Sequence, residues 1–383
     1  MKSTFTWGVL ILSLIVLPGR SQNLSPCKDK PELFPYQIKH TPPVNQGKTN
    51  TCWAFSTVSF LESEIMRLSG KTYQLSAMWV VYHAYLEKAR NYYEQQGKAR
   101  LSGGGLAHDV VTIIQKYGIV QQHDYAGLKG AATMHDHTEL DQAMRKILNS
   151  LIPIEDMTTD FAVLAVRQIL DDYLGVPPDT IEVEGQSMTP QAFAQEILKL
   201  PLENYLQITS FQSFPFYTSG KLGLPDNWLQ FDRYLNVPLN EFLALIRGAI
   251  TNNFSVVIDM DLSEAGYRKE QSLATLNADH STIDSIDQQI RERHFASQAT
   301  TDDHLQHLIG FAPCPDEGGF NWYLIKDSLP SSYNSASKGY IYMREDYVRL
   351  KVLSFMVHKE AVRAQLEDNF PDFFVMKSDT SHH

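Results

Sequence analysis

The apolar residues of this chain change period midway, and that change limits the fold more than any single motif. From Cys52 the positions Ala54, Val58, Leu61, Ile65 and Leu68 recur at helical spacing until Gly70. Ser76 reads as the cap of a second helix carrying Met78, Val81, Tyr82 and Tyr85. The triplet Gly103-Gly104-Gly105 precedes a third, with Val110, Val111, Ile114 and Tyr117, stopped by Gly118. Helical patterning continues through 140–200, where Thr189-Pro190 supplies a cap followed by proline at the first helical position. Beyond that the runs shorten. Segments 254–261, 304–311, 321–326, 339–343 and 351–357 are β-branched and aromatic, separated by Gly, Pro, Asn and Asp, as antiparallel strands are. The pattern predicts an α+β fold of two subdomains, with a groove between them as the natural place for a site.

The 383 residues suffice for such a pair and its core. A formal net charge of -11 provides no electrostatic footprint for nucleic acid. Lys2 followed by the eleven-residue apolar run 7–17 is too short to span a bilayer, and Gly19-Arg20-Ser21 supplies small residues where a signal peptidase reads. Residues 1–21 are therefore expected to be a signal peptide, and the protein exported, secreted or periplasmic, with no stable membrane span. Pro26 directly before Cys27 argues against an acylated lipoprotein cysteine. Residues 22–42 read as an irregular lead-in.

Cys52 opens the first long helix, with Gly47 and Asn50 making the turn before it. A helix N-terminus presents free N–H groups and partial positive charge, which favours a thiolate there. Gln46, six residues earlier, can share with the Cys52 N–H the binding of an oxyanion. On residue type alone, a small buried hydrophobe at a helix start is the commoner reading of Cys52.

The flanking residues alter that balance. Gln46-Gly47 with Cys52-Trp53-Ala54-Phe55 resembles the active-site segment of papain-like cysteine peptidases. Leu75-Ser76, Gly104-Gly105, Lys116-Tyr117-Gly118, Met188-Thr189-Pro190, Asn236-Val237-Pro238-Leu239 and the run from Lys338-Gly339-Tyr340 to Val357-His358-Lys359 resemble, in order, segments of the bleomycin hydrolase (aminopeptidase C) branch. The resemblance spans roughly 40–365. It implies a papain-like domain over 43–383: a helical subdomain to about 235 with an insertion over about 130–235, a β-rich subdomain over about 236–365, and a tail over 366–383. It also implies a peptide or protein substrate and no cofactor, and it leaves an oligomer open.

The family needs a His and an Asn from the stranded half. His304 follows an acidic turn at a strand start and has Gly310 six residues on, whereas His307 shares the parity of Leu305 and Ile309, a packing face. His304 is thus the expected general base. The Asn position is occupied by Asp327, expected to accept the His304 Nδ1–H, and Leu329 stands where a shielding Trp would be. His304 lies 252 positions after Cys52, about 100 more than the papain signature allows, which is where the insertion enters. Gly104 and Gly105 would line the cleft and offer backbone groups to an extended peptide, or else merely turn into a helix. With no HExxH or CxxC, no metal site is expected. If Cys52 stays free, Cys27 and Cys314 are either a bridged pair or two more free thiols. Two readings follow: a thiol peptidase, with an amino-end preference if the tail enters the cleft, or a decayed relative that binds peptides or acts as a scaffold.

Overall fold

The computed structural model describes residues 33–276, 285–313 and 319–375. The expectations for residues 1–21, for Cys27 and Cys314, and for the tail beyond Val375 lie outside the described residues.

The chain opens with β1 (Tyr36–Gln37) and the helices α1 (Cys52–Ser69), α2 (Ala77–Glu94), α3 (Ala107–Tyr117), α4 (Thr138–Leu151) and α5 (Thr159–Leu174). Local chemistry sets their ends. Ser76 Oγ accepts from Trp79 N at the start of α2, and Gly70 closes α1 with φ 72°. A hairpin, β2 (Ile181–Val183) with β3 (Gln186–Met188), leads to the short α6 (Pro190–Ala192), capped by Thr189 and continued as a π turn. Strands β4 (Tyr205–Thr209), β5 (Ser219–Gly220) and β6 (Tyr234–Asn236) come next, so 130–235 is helical only in its first part. Then follow α7 (Leu239–Thr251), β7 (Val256–Met260), β8 (Tyr267–Arg268), β9 (Leu273–Ala274), α8 (Gln288–Ala296), β10 (His304–Ala312), β11 (Trp322–Lys326), β12 (Tyr340–Arg344), α9 (Glu345–Lys351) and β13 (Val352–His358).

One mixed sheet runs β5-β6-β4-β13-β7-β10-β11-β12-β9-β8, with β1 added to β10. Both its faces are covered. Val257, Leu305, Leu353 and Met356 join the core made by α1–α5, while Val256, Ile258, Leu308, Val352 and Phe355 join a second core with α7 and α9. Period-two alternation sends neighbours to opposite cores, so these strands read as unbroken hydrophobic runs. This is the α+β arrangement of a helical half against a sheet half that the period change predicts. α1 lies against β10, which sets the start of one element close to the start of the other. Among the described residues no helix is long and apolar enough to cross a membrane.

Candidate active site

Cys52 is the first residue of α1 and is buried. Its cap residue, Thr51, makes no side-chain hydrogen bond to the first turn, so this end of the helix keeps its N–H groups and dipole for the groove. Upstream, Gly47 takes φ 68°, and a Cβ there would sit 2.2 Å from the His135 carbonyl oxygen, so only glycine fits. That turn brings Gln46 back beside the helix start. Gln46 Nε2 donates to Thr49 O at 2.7 Å and its Oε1 accepts from Ser328 Oγ at 2.6 Å. The Gln46 N–H donates to Ser328 O at 2.8 Å. One Nε2 hydrogen is left for a further acceptor.

His304 begins β10, and its Nε2 donates to Asp327 Oδ1 at 2.6 Å, the two side chains 2% and 0% exposed. The sequence reading put this bond on Nδ1; the structure corrects it. Asp327 follows the adjacent strand β11 and reaches the far ring nitrogen, which leaves Nδ1 as the nitrogen for Cys52. Burial alone would lower the His304 pKa. The charges of Cys52 and Asp327, with their hydrogen bonds, overcome it and raise the pKa to about 10. Burial pushes the Asp327 carboxyl up, but the His304 charge, helped by Ser332 and Gln306, holds it below the ordinary range. His304 is a cation at neutral pH, the partner that a thiolate requires.

An aspartate here buries a charge that an asparagine would not, and the structure shows how it is matched. Asp327 Oδ1 also accepts from Ser328 N at 2.8 Å and Leu329 N at 3.4 Å, while Oδ2 accepts from the Ser332 hydroxyl. Four donors on one carboxylate offset its desolvation. Leu329 leaves no indole over the pair; the 3₁₀ turn Pro330–Asn334 folds there instead, with Ser332 fully buried. Ser328 and Ser332 escaped sequence reasoning, because a serine near a carboxylate has no distinctive spacing.

His307, three positions along β10, faces α1. Its Nδ1 pairs with Ser59 Oγ at 2.8 Å, its ring meets Phe60 edge-on, and burial keeps it neutral by pushing its pKa well down.

Gly104 lies under the loop that carries Asp226, and Gly105 packs on Trp53 and Asp109. Gly103 O accepts from Trp53 Nε1 at 2.8 Å, and Gly104 O accepts from Lys88 Nζ, a buried ammonium between Trp53 and Trp228. A Cβ on Gly104 would lie 2.1 Å from Asp226 Oδ2, and one on Gly105 would lie 2.7 Å from Asp109 Oδ2. The loop carrying Asp226 is locked by Asn227, whose Nδ2 donates to Phe231 O and whose Oδ1 accepts from Phe231 N, both at 2.8 Å. Both glycine carbonyls named above are thus used internally, and Asp226 lies on Gly104. Only the turn-forming Pro225-Asp226-Asn227 hints at this loop in the sequence.

Residues 19–375 match the model of the Peptidase C1-like family. No curated protein sequence matches significantly. Among solved structures, PepW from Lactobacillus rhamnosis HN001 is similar at 16% identity, covering 90% of this chain and 85% of that one, with a TM-score of 0.69. The bromelain protease from Ananas comosus, solved in complex with the E64 inhibitor, is 14% identical over 82% of this chain and 92% of that one, with a TM-score of 0.37.

Proposed function

The chain belongs to the Peptidase C1-like family, and on that footing we propose that it is a cysteine peptidase working through an acyl-enzyme on Cys52. The observation that carries this is the buried imidazolium of His304, held at Nε2 by Asp327 with Nδ1 left for the thiol. Cys52 Sγ attacks the peptide carbonyl carbon, and the developing oxyanion is held by the Cys52 N–H and the spare hydrogen of Gln46 Nε2. His304 gives its proton to the leaving nitrogen, the C–N bond breaks, and a thioester remains. Water, deprotonated by His304, then attacks the thioester; the carboxylic acid departs and the thiolate returns. Removal of residues from amino ends is the finer form of this proposal, supported by the sequence resemblance. A binding-only protein would gain nothing from a cationic imidazole beside a thiol, so the decayed reading fits less well.

A thiol-directed epoxide should attach once per chain, at Cys52 by peptide mass mapping, and not at all to Cys52→Ala. No attachment, together with no cleavage of fluorogenic peptides between pH 5 and 8, would sink the proposal. Gln46→Ala should lower kcat by about 10²–10³ with little change in KM, since its donor acts on the oxyanion and not on bound substrate. An equal loss in KM would place Gln46 in ground-state binding instead.

A further inference from the structure

One face of α1, the segment before Gln46 and the strands β10 and β11 enclose a cavity of about 620 Å³, its mouth included. About 80 Å³ of it admits the centre of a water-sized group, several times the ~10–15 Å³ that one water needs. Gln46, Cys52 and His304 are not among its walls, whereas Asp327 and Ser328 are. The cavity is therefore separate from the reacting groups yet shares a wall with them.

Two buried nitrogens in this wall are poorly matched. Lys326 is 5% exposed, and its Nζ donates to Thr41 Oγ1 at 3.1 Å, its single acceptor among the described residues. Two of its three hydrogens remain. Glu62 supplies counter-charge, but its oxygens already accept from the Thr41 hydroxyl and from Leu75 N at 2.8 Å. Burial outweighs Glu62 and drags the Lys326 pKa down to about 8. His307 is fully buried, and its Nε2 has no hydrogen-bond partner among the described residues, while Nδ1 pairs with Ser59 Oγ. Lys326 lies close enough to help keep that ring neutral. An acceptor shared by the two groups selects the tautomer with its proton on Nε2, and Ser59 then donates to Nδ1.

Phe55, Val58, Leu75 and Ala77 give the cavity an apolar side, and Val44, 52% exposed, stands at its mouth. Unmet donors, one of them cationic, beside an apolar wall match an anion with a short apolar body. A phosphate dianion would meet Glu62 and leave the apolar wall unused. We propose that this cavity binds a small monocarboxylate, its oxygens on Lys326 Nζ and His307 Nε2 and its body against Phe55, Val58 and Leu75. The source is either a free short-chain acid or an apolar amino acid, two forms of one chemistry. The assignment stands apart from the peptidase reading, because neither the nucleophile nor the base belongs to this wall.

The test is isothermal titration of the whole chain at pH 7 with isovalerate, isovaleramide and leucine. Isovalerate should saturate one site per chain and bind about tenfold or more tighter than the amide, which keeps the body and lacks the charge. Leucine binding as tightly as isovalerate identifies the amino acid as the source, and leucine binding about tenfold weaker identifies the free acid. Lys326→Met should weaken isovalerate by about tenfold or more. Val44→Trp, at an exposed position, should close the mouth with a similar loss, and it decides alone if Lys326→Met fails to fold. No saturation up to about 10 mM, or an amide that binds as well as the acid, overturns the site. Binding retained in both variants overturns it too, because the acid then lies elsewhere.

Discussion

Replacing His304 by alanine is expected to lower kcat/KM by about 10⁴-fold, and Asp327→Ala by about 10³, both without unfolding the chain. The first removes the imidazole that lies between the thiol and Asp327. The second leaves the His304 ring unanchored and strips an acceptor from Ser328 N, Leu329 N and Ser332 Oγ. Asp327→Asn separates geometry from charge. Its Oδ1 can still accept from His304 Nε2, and its amide can donate to a reoriented Ser332 hydroxyl, so activity should stay within about tenfold of the parent.

Its pH profile should nevertheless move. The His304 pKa is raised above its ordinary 6.5, so the imidazolium is complete below that value and is lost as pH rises through about 10. The Asp327 pKa is lowered, so its charge is present above the ordinary carboxylate range and is lost only in more acid solution. Stability drawn from the pair therefore spans the interval between those two limits. With asparagine one of the raising charges is gone, and the alkaline limb of kcat/KM should shift to lower pH. An unshifted limb would mean that Asp327 does not set the charge on His304.

The largest loss of stability is expected from Arg291→Met. Arg291, on α8, is fully buried, and its guanidinium donates to Ser210 O and Arg349 O at 3.0 Å each and to Val352 O at 2.5 Å. Phe211 and Phe242 lie over it at 4.4 and 5.1 Å. Burial drags its pKa down to about 9, yet the fork of donors joins the end of β4 to the start of β13. Methionine fills the volume and strands those carbonyls, which should cost about 3–5 kcal/mol and lower Tm by roughly 6–12 °C. Arg291→Lys should recover less than half, because a point ammonium cannot reproduce the planar fork. A Tm within 2 °C of the parent (about 1 kcal/mol at this size) for Arg291→Met would show that water reaches the carbonyls.

The elements with strong local signals were legible before the structure. Ser76 and Thr189 cap helices through their hydroxyls, and β7, β10, β11, β12 and β13 fall within a residue or two of their β-branched runs. Tyr205–Thr209 was not read as a strand, because five residues between two turns cannot outweigh a helical neighbourhood in pattern alone. At the site, parity alone does not separate His304 from His307, since both rings meet α1, His307 at Ser59 and Phe60 and His304 at Cys52; position at the start of the strand is what distinguishes them. Which ring nitrogen Asp327 binds was not readable, because it depends on the stagger of β10 against β11.

Gln46 and Cys52 belong to the helical half, whereas Ser328, Asp327 and His304 belong to the sheet half. The two hydrogen bonds between Gln46 and Ser328 therefore make the same few atoms both a fixture of the proposed site and a seam. Two hydrophobic cores on either face of one sheet would ordinarily be free to melt separately. Stitched at this point, and sharing strands between them, they should behave as one cooperative unit. The chain would then lose its reactive thiol and its folded enthalpy in a single calorimetric transition, with no partly open form that keeps the fold and forgets the chemistry.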